Sequence, residues 1–193
     1  IDIDPTEMVR LKPSAAIVAD AAEGTAALTA AVKGDAGAAR REPDFAAARD
    51  RARQATASVQ PQVAYLEAIR AVLPRDGFLV EEISQVGLAA RFAFPVYGPR
   101  RYITSGYQEN LGFGFNTALG VKVANPDKAV VSITGDGGFM FGVQELATAV
   151  QFNIGVVTLV FNNNAYGNVR RDQRERFDGR VVASDLVNPE FVK

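Results

Sequence analysis

The chain has 193 residues, a formal net charge of −1 at pH 7, and neither cysteine nor histidine. A nearly neutral chain offers no electrostatic basis for binding nucleic acid or an anionic membrane surface, and no apolar run reaches the length of a membrane span. The lack of cysteine excludes disulfides and cysteine-ligated zinc. We therefore expect a globular, cytoplasmic protein with neither nucleic acid nor a membrane as its partner.

The first third of the chain predicts short elements followed by a polar connection. Residues 15–18 have the composition of a short strand, and residues 25–32 form an alanine-rich stretch typical of a helix. Residues 34–53 are polar and rich in alanine and arginine, which favours a linker or a solvated surface helix. The sequence opens without methionine, as if partway along a strand, so we expect a portion of a longer protein.

A sharper pattern begins near residue 59. Apolar residues recur at helical spacing over 62–73, and the Pro-Arg-Asp-Gly segment at 74–77 ends the predicted helix. A strand is predicted to begin at 78–80. Residues 92–97, Phe-Ala-Phe-Pro-Val-Tyr, predict an aromatic patch on a loop, which we interpret as a core or subunit contact in preference to a substrate channel.

The segment 111–124 is a predicted helix rich in glycine and alanine. Its Gly112, Gly114 and Gly120 superficially resemble a dinucleotide-binding fingerprint. That fingerprint requires a strand and a tight turn immediately before the glycines, and neither is present at the required spacing. We therefore interpret the small residues as a surface for close packing.

Two apolar, β-branched runs, 129–134 and 156–161, predict strands buried on both faces of a parallel sheet. Residues 143–152 between them have helical spacing. A strand–helix–strand crossover brings the carboxyl ends of both strands to one edge, where open α/β sheets bind ligands. The predicted fold class is α/β, with a doubly wound, mostly parallel sheet flanked by helices.

Polar residues follow both of these strands. Asp136 lies between glycines after the first, and Asn163 follows the second. A carboxylate, an amide oxygen and a backbone carbonyl suit Mg²⁺, while Gly137 and Gly138 leave backbone N–H groups open to a diphosphate. The alternative, a turn and a helix cap without a ligand, does not explain why both features lie at strand ends joined by one helix. The pattern predicts a Mg²⁺–diphosphate site.

The same residues resemble a family signature. Gly135-Asp136-Gly137, followed after residues 138–161 by Asn162-Asn163, is similar to the motif of thiamine-diphosphate-dependent enzymes, and residues 143–149 resemble the acetolactate synthase and 2-oxo acid decarboxylase branch. The resemblance implies the thiamine diphosphate-binding fold, with thiamine diphosphate and Mg²⁺ as cofactors. It implies three metal ligands: the side chains of Asp136 and Asn163 and the backbone carbonyl of Ala165. The implied diphosphate-binding residues are Gly135, Gly137, Gly138, Tyr166 and Gly167.

The resemblance extends upstream to the other end of the cofactor. Thr-Ser-Gly at 104–106, followed by Leu-Gly-Phe-Gly at 111–114, is similar to the segment that holds the aminopyrimidine ring in this family. Leu111 would wedge the cofactor into a bent conformation, and the carbonyl of Glu109 would accept from its 4′-amino group. Ser84 and Gln85, after the strand at 78–80, would contact the diphosphate.

Two departures from the family pattern bear on the substrate. Residues 107–110, Tyr-Gln-Glu-Asn, are larger than the glycine-rich residues of many relatives, and Val86 stands where acetolactate synthases often have histidine. The resemblance therefore implies a cofactor without implying one particular substrate.

The family resemblance also implies a division of the chain and of its chemistry. Residues 1–36 would end a central domain, 37–57 would be a linker or surface helix, and 58–193 would form the cofactor domain, truncated at its carboxyl end. The implied activity is decarboxylation of a small 2-oxo acid, with release of an aldehyde or transfer of the two-carbon unit. A homodimer or homotetramer with the cofactor at the subunit interface is expected.

No catalytic residue is expected within this chain. The family's activating glutamate lies in an N-terminal domain, usually of a neighbouring subunit, so Glu145 is assigned to the crossover helix instead and the isolated chain should be inactive. Two alternatives remain: a homologue that binds thiamine diphosphate without turnover, and an unrelated Mg²⁺–phosphate enzyme. The arginine-rich segment 169–180 predicts a solvated, salt-bridged surface, with contact to an anionic substrate or acyl carrier as its alternative.

Overall fold

The computed structural model describes residues 1–32 and 42–191, and the chain divides into two compact units, Ile1–Ala48 and Arg49–Lys193. In the first unit, helix α1 spans Pro5–Leu11 and helix α2 spans Ala21–Ala31. Helix α2 begins earlier than the predicted 25–32 because the carboxylate of Asp20 caps its first turn. In place of the predicted strand at 15–18, Val18 forms an isolated parallel bridge with Asp2.

Helix α3, Glu42–Thr56, contains the division between the two units. Its side chains from residue 44 to residue 55 are all exposed. The described part of the predicted connection is therefore a solvated helix, while the boundary placed at residue 36 and residues 37–41 lie outside the described residues.

The second unit is built on a parallel sheet with helices between its strands. The helices are α4 (Gln62–Val72), α5 (Gln85–Ala93), α6 (Phe113–Ala124), α7 (Asp136–Phe139), α8 (Leu146–Gln151) and α9 (Gly167–Arg176). The strands are β1 (Phe78–Glu81), β2 (Tyr102–Thr104), β3 (Val130–Gly135) and β4 (Val157–Phe161). The strands pair in the order β2-β1-β3-β4, and every pairing is parallel.

Alternating side chains of the strands enter separate cores on the two faces of the sheet. On one face, Leu79 of β1 and Ile133 of β3 pack against apolar residues of α4 and α5. On the other, Val80 of β1 and Val130 of β3 pack with Ala118 of α6. Helices cover both faces, which confirms the predicted α/β, doubly wound class.

The strand order places a change of direction between β1 and β3. From β1 the chain passes through α5 to β2 on one side, whereas β3 continues through α7 and α8 to β4 on the other. Loops leaving neighbouring strands in opposite directions open a crevice at their carboxyl ends, and ligands of doubly wound sheets bind at such a point. The segments after β1 and β3 therefore form the walls of the expected site.

Two local predictions are wrong. Strand β4 is not buried on both faces: it is the outer strand of the described sheet, and the side chain of Val157 is 59% exposed. The aromatic patch at 92–97 is not confined to a loop, because α5 continues through Ala93. Its members separate accordingly, with Phe92 exposed on the helix and Phe94 buried in the core.

The crossover between β3 and β4 is also more broken than the predicted helix at 143–152. A 3₁₀ turn at Val143–Glu145 precedes the short helix α8. Within the described ranges, no helix combines the length and apolar character that crossing a membrane requires.

Candidate active site at the sheet edge

A cavity of about 380 Å³ opens at the carboxyl ends of β1, β3 and β4. Every residue that the sequence predicted for the metal or cofactor site lines it. These residues are Ser84, Gln85, Glu109, Leu111, Gly135, Asp136, Gly137, Gly138, Asn163, Ala165, Tyr166 and Gly167. The sheet thus brings together segments that lie far apart in the chain.

Asp136, the first residue of α7, is almost completely buried at the head of the cavity. Its Oδ2 accepts hydrogen bonds from the backbone N–H of Ala165 at 3.2 Å and from the Asn188 amide at 2.6 Å. Among the ion pairs of the described residues, none involves Asp136. A buried carboxylate with neutral donors and no cationic side chain fits a bound cation.

The loop after β4 brings the other predicted ligands to Asp136. Asn163 lies so close to Gly167 that a Cβ on Gly167 would be 2.8 Å from the Asn163 Nδ2 atom. Ala165 is buried and forms an isolated bridge with Asp185. The donor set contains one carboxylate only, and accordingly the described residues hold no cluster of three or more acidic, histidine or cysteine side chains suited to a metal.

Asn188 is a site residue that the sequence analysis missed. Besides Asp136, its Nδ2 donates to Oδ1 of Asn162 at 3.1 Å and to Oδ1 of Asn164 at 3.3 Å. One amide therefore contacts a predicted metal ligand, Asp136, and the side-chain oxygens of two residues that flank another, Asn163. No local pattern marks this residue, because it follows α9 in an irregular segment and meets Asp136 from 52 positions away.

Two glycines of α7 are required by close approaches. A Cβ on Gly137 would lie 2.6 Å from ring atoms of Tyr166, and a Cβ on Gly138 would lie 2.6 Å from Cδ of Glu82. The backbone of the turn after β3 is thus held against neighbours on both sides, while its N–H groups lie at the start of a helical turn. This arrangement fits a diphosphate, which binds to open backbone N–H groups.

Glu82, which directly follows β1, is the second residue that the sequence analysis missed. It is fully buried, and its carboxylate accepts from the backbone N–H groups of Gly112 at 2.5 Å and Gly114 at 3.4 Å. The Thr134 hydroxyl donates to it at 2.5 Å. The signal for this residue was the acidic pair Glu81-Glu82 at the end of an apolar strand, where charged residues are rare unless they have partners.

The residues predicted to contact the diphosphate from β1 occupy the start of α5. The Ser84 hydroxyl caps this helix by accepting from the Gly87 backbone N–H at 3.0 Å. Gln85 accepts a hydrogen bond from the Gln62 side chain at 3.3 Å while lining the cavity. The amino end of α5 therefore faces the cavity and favours an anionic group there.

The pyrimidine side of the predicted site is formed by the loop between β2 and α6. Glu109 has a left-handed backbone, with φ of +52°, and its carboxylate pairs with Arg91 of α5. Arg91 also binds the fully buried Glu81 at 2.9 Å. Burial opposes the charge of Arg91, but hydrogen bonds with Glu81 and Glu109 outweigh it and raise the pKa of the guanidinium.

Glu145 lies away from this cavity, in the 3₁₀ turn, where its carboxylate accepts from the Thr148 hydroxyl at 2.7 Å. The arginine-rich segment forms α9, and its Arg170 pairs with Asp185 at 2.8 Å. Glu145 therefore belongs to the crossover, in a 3₁₀ turn where a helix was predicted, and Arg170 makes an ion pair of the kind predicted for its segment.

Known proteins are similar to this chain in sequence and in fold. The family model for the thiamine pyrophosphate enzyme C-terminal TPP binding domain matches residues 82–193. The large subunit of acetolactate synthase isozyme 3 from Escherichia coli K12 is 35% identical over 136 residues, which cover 70% of this chain and 24% of that protein. Acetolactate synthase from Arthrospira platensis is 39% identical over 120 residues, covering 61% of this chain and 21% of that protein.

A solved structure of a thiamine diphosphate-dependent enzyme is also similar to this chain. The thiamine diphosphate-dependent 4-hydroxybenzoylformate decarboxylase of Rhodococcus jostii RHA1 superimposes with a TM-score of 0.63 at 28% identity, covering 68% of this chain and 25% of that one. This chain thus spans about a quarter of the length of these relatives. With residues 82–193 matching its cofactor-binding domain, the chain belongs to the thiamine pyrophosphate enzyme family.

Proposed function

We propose that this chain binds thiamine diphosphate together with Mg²⁺, as the cofactor-binding part of an enzyme that decarboxylates a small 2-oxo acid. The enzyme releases an aldehyde or transfers the two-carbon unit, as in acetolactate synthases. One observation carries the proposal: the buried carboxylate of Asp136 shares a cavity with Asn163 and with the glycine backbone of α7.

In this proposal the chain divides the cofactor between two sets of residues. The side-chain oxygens of Asp136 and Asn163 and the carbonyl of Ala165 hold the cation. The backbone of Gly135, Gly137 and Gly138, together with Tyr166, Gly167, Ser84 and Gln85, holds the diphosphate. Each of these residues lines the cavity, and the amino end of α5 adds favourable electrostatics for the phosphates.

The loop after β2 holds the other end of the cofactor. The carbonyl of Glu109 accepts from the aminopyrimidine, and Leu111 supports the bent conformation. Tyr65 and Phe161, whose ring centroids are 5.3 Å apart, contribute apolar lining to the same cavity. When bound, thiamine diphosphate supplies the electron sink for the bond that breaks when CO₂ leaves.

The glutamates that line the cavity or lie directly beside it already have partners, which favours a catalytic glutamate supplied from outside this chain. Glu109 is paired with Arg91, and the carboxylate of Glu82 is occupied by backbone N–H groups and a hydroxyl. Assembly as a homodimer or homotetramer with the cofactor at the interface, in the cytoplasm, is part of the proposal. A homologue that binds the cofactor without turnover is the second candidate, favoured because Glu82 and Glu109, the described glutamates at the cavity, are both paired.

Calorimetric titration of thiamine diphosphate, with and without Mg²⁺, tests the cofactor site. Wild type should bind in the presence of Mg²⁺, and Asp136→Ala should lose at least about a hundredfold in affinity because it removes a charged ligand. Asp76→Ala is the matched control. Asp76 is exposed and pairs with Lys128 at the amino ends of β1 and β3, whereas the cavity lies at their carboxyl ends. Binding that is independent of Mg²⁺ and survives Asp136→Ala would disprove the site.

The reaction is tested separately on the full-length protein. CO₂ release is measured with pyruvate, benzoylformate and oxalyl-CoA as substrates. Release from any of them supports the decarboxylase, whereas tight cofactor binding without release favours the non-catalytic homologue.

A further inference from the structure

We propose that Arg91 is a positioning residue that clamps the loop after β2 through Glu109 and so makes the site select a ring-bearing diphosphate over inorganic diphosphate. The inference rests on the proposed function, since it assigns the loop to the pyrimidine end of the cofactor. It follows from a juxtaposition in the structure: Arg91 joins a buried carboxylate of the sheet to a carboxylate on the cavity wall.

The sheet end of this clamp is fixed. Glu81 is the last residue of β1 and is fully buried, so its charge requires a partner. Arg91 supplies one with Nη2 at 2.9 Å and Nε at 3.2 Å from the same carboxylate oxygen, and the Tyr102 hydroxyl donates to the other oxygen at 3.2 Å. The position of the guanidinium is therefore set by the sheet, independently of the loop.

The other arm of the guanidinium reaches the loop. Nη1 of Arg91 pairs with Oε1 of Glu109, and Nη2 also donates to the Thr104 hydroxyl at 3.3 Å. The planar fork of arginine can serve two carboxylates in fixed directions, which the single ammonium of lysine cannot do. Because Arg91 is held by Glu81, the Glu109 carboxylate is held in turn.

The loop needs such an anchor. The backbone of Glu109 has φ of +52°, a left-handed conformation that residues other than glycine, asparagine and aspartate rarely adopt. Glycines with φ of +64° and +84°, Gly106 and Gly112, flank the segment, and Tyr107 within it is fully exposed. Among the described residues, the ion pair of Glu109 is the polar contact that ties residues 107–111 to the rest of the unit.

This anchor acts on one end of the cavity only. Glu109 and Leu111 belong to the clamped loop, whereas the metal and diphosphate residues follow β1, β3 and β4. Loosening the clamp should weaken a ligand that carries the ring and leave a bare diphosphate unaffected. The ratio of the Kd of thiamine diphosphate to the Kd of inorganic diphosphate therefore measures the effect of the clamp. A general loss of folded protein would weaken both ligands alike and leave this ratio unchanged.

The test uses Glu109→Asn, Arg91→Lys and the double variant. Asparagine tolerates the left-handed backbone, so Glu109→Asn removes the ion pair and leaves the Glu81–Arg91 pair intact. Lysine keeps a charge beside Glu81 but cannot fork to Glu109. Calorimetry measures the Kd of thiamine diphosphate and of inorganic pyrophosphate, each with saturating Mg²⁺. Lys128→Met is the control, because it breaks the exposed pair with Asp76 outside the cavity.

Each single variant should weaken thiamine diphosphate about tenfold, the size of one charge-assisted contact, and change pyrophosphate less than about twofold. The double variant should lose about as much as either single variant, because both remove the same contact. The control should bind both ligands as wild type does.

Equal weakening of both ligands, wild-type affinity in Glu109→Asn, or a loss near a hundredfold in the double variant would overturn the clamp. Glu109→Asn decides the matter alone if Arg91→Lys fails to fold. Failure of the wild type to bind thiamine diphosphate with Mg²⁺ refutes the proposed function itself, and the clamp with it. Binding by wild type with no loss in the variants refutes the clamp only.

Discussion

The carboxylate of Glu82 occupies the space that a side chain on Gly138 would need, with Cδ only 2.6 Å from the ideal Cβ position. The same carboxylate accepts from the Gly112 backbone N–H at the start of α6. One buried side chain after β1 therefore joins the turn after β3 to the loop that precedes α6. Glu82 thus couples these two walls of the cavity through contacts that do not include Arg91.

Replacing Gly138 with alanine should force these groups apart. Because the obstructing atoms belong to a buried, hydrogen-bonded carboxylate, we expect Gly138→Ala to lower the free energy of unfolding by about 3 kcal/mol, near the upper range for overpacking. Urea denaturation measures this loss. Gly120→Ala is the matched control, because nothing lies within 4 Å of its added Cβ in the interior of α6. It should raise stability by up to about 1 kcal/mol. An equal, small effect of both substitutions would contradict the coupling.

Glu82→Gln should be destabilising although it preserves size. The carboxylate oxygens accept from two backbone N–H groups and a hydroxyl. A glutamine amide would turn its NH₂ toward donors, which leaves buried groups unpaired at a cost of about 2 kcal/mol. Glu67→Gln serves as the control, since that residue is exposed on α4 and should change stability by less than about 0.5 kcal/mol. Denaturation midpoints of the two variants are compared, and similar values would argue against a special role for Glu82.

The position of the predicted metal and diphosphate residues around one cavity could be predicted because it depends on local pattern alone. Buried parallel strands appear in the sequence as apolar runs, and the residues after them share one edge, so Asp136 and Asn163 line the same cavity whatever the rest of the fold does. The contacts of Glu82 and Asn188 depend on which helix start and which loop face that edge. They join residues 24 to 52 positions apart, and no periodicity encodes them.

The burial of β4 could not be read from its own residues for a related reason. An apolar run predicts a strand, but the strand's neighbours decide whether one or both of its sides are covered. In the described sheet β4 pairs only with β3, which leaves Val157 exposed. The ion pair between Arg91 and Glu109 was missed because charged residues on a helix and in a loop ordinarily predict a solvated surface, and only the register of α5 against Glu81 brings them together.

Tyr102 should make stability depend on pH above the neutral range. Burial, the neighbouring charge of Glu81 and the hydrogen bond to that carboxylate raise the pKa of the Tyr102 hydroxyl. The unfolded chain therefore loses the tyrosine proton near pH 10 while the folded protein keeps it. Since the folded state then binds more protons, the stabilising contribution is fully present below about pH 10 and is lost as the pH rises toward the folded pKa.

We expect the wild-type free energy of unfolding to fall more steeply between about pH 9 and 11 than that of Tyr102→Phe. At neutral pH the variant should itself be about 1 kcal/mol less stable, because Glu81 loses a donor. Tyr107→Phe is the matched substitution, since that side chain is 97% exposed, and it should follow the wild-type profile. Denaturant titrations across this pH range provide the comparison; parallel profiles for all three proteins would refute the assignment.

Asn188 should compete with a cation for Asp136. Its amide N–H group lies against Oδ2 of Asp136, an oxygen that a metal at this position would approach, and also against the side-chain oxygens of Asn162 and Asn164. Removing the amide therefore leaves Oδ2 of Asp136 free for Mg²⁺ but deprives a buried carboxylate of a donor. Without metal, Asn188→Ala should be less stable than wild type by about 1–2 kcal/mol.

With Mg²⁺ and thiamine diphosphate present, the same Asn188→Ala variant should require about fivefold less Mg²⁺ for half-saturation, because no protein donor has to be displaced. Calorimetric Mg²⁺ titration at constant thiamine diphosphate measures the shift, and thermal melts with and without the metal should show the stability difference shrinking by about 1 kcal/mol when the metal is bound. Asn125→Ala, which removes an amide that bonds only the Val121 carbonyl at the end of α6, should leave the Mg²⁺ requirement unchanged. A higher Mg²⁺ requirement in Asn188→Ala would mean that the amide orients Asp136 for the metal and does not compete with it.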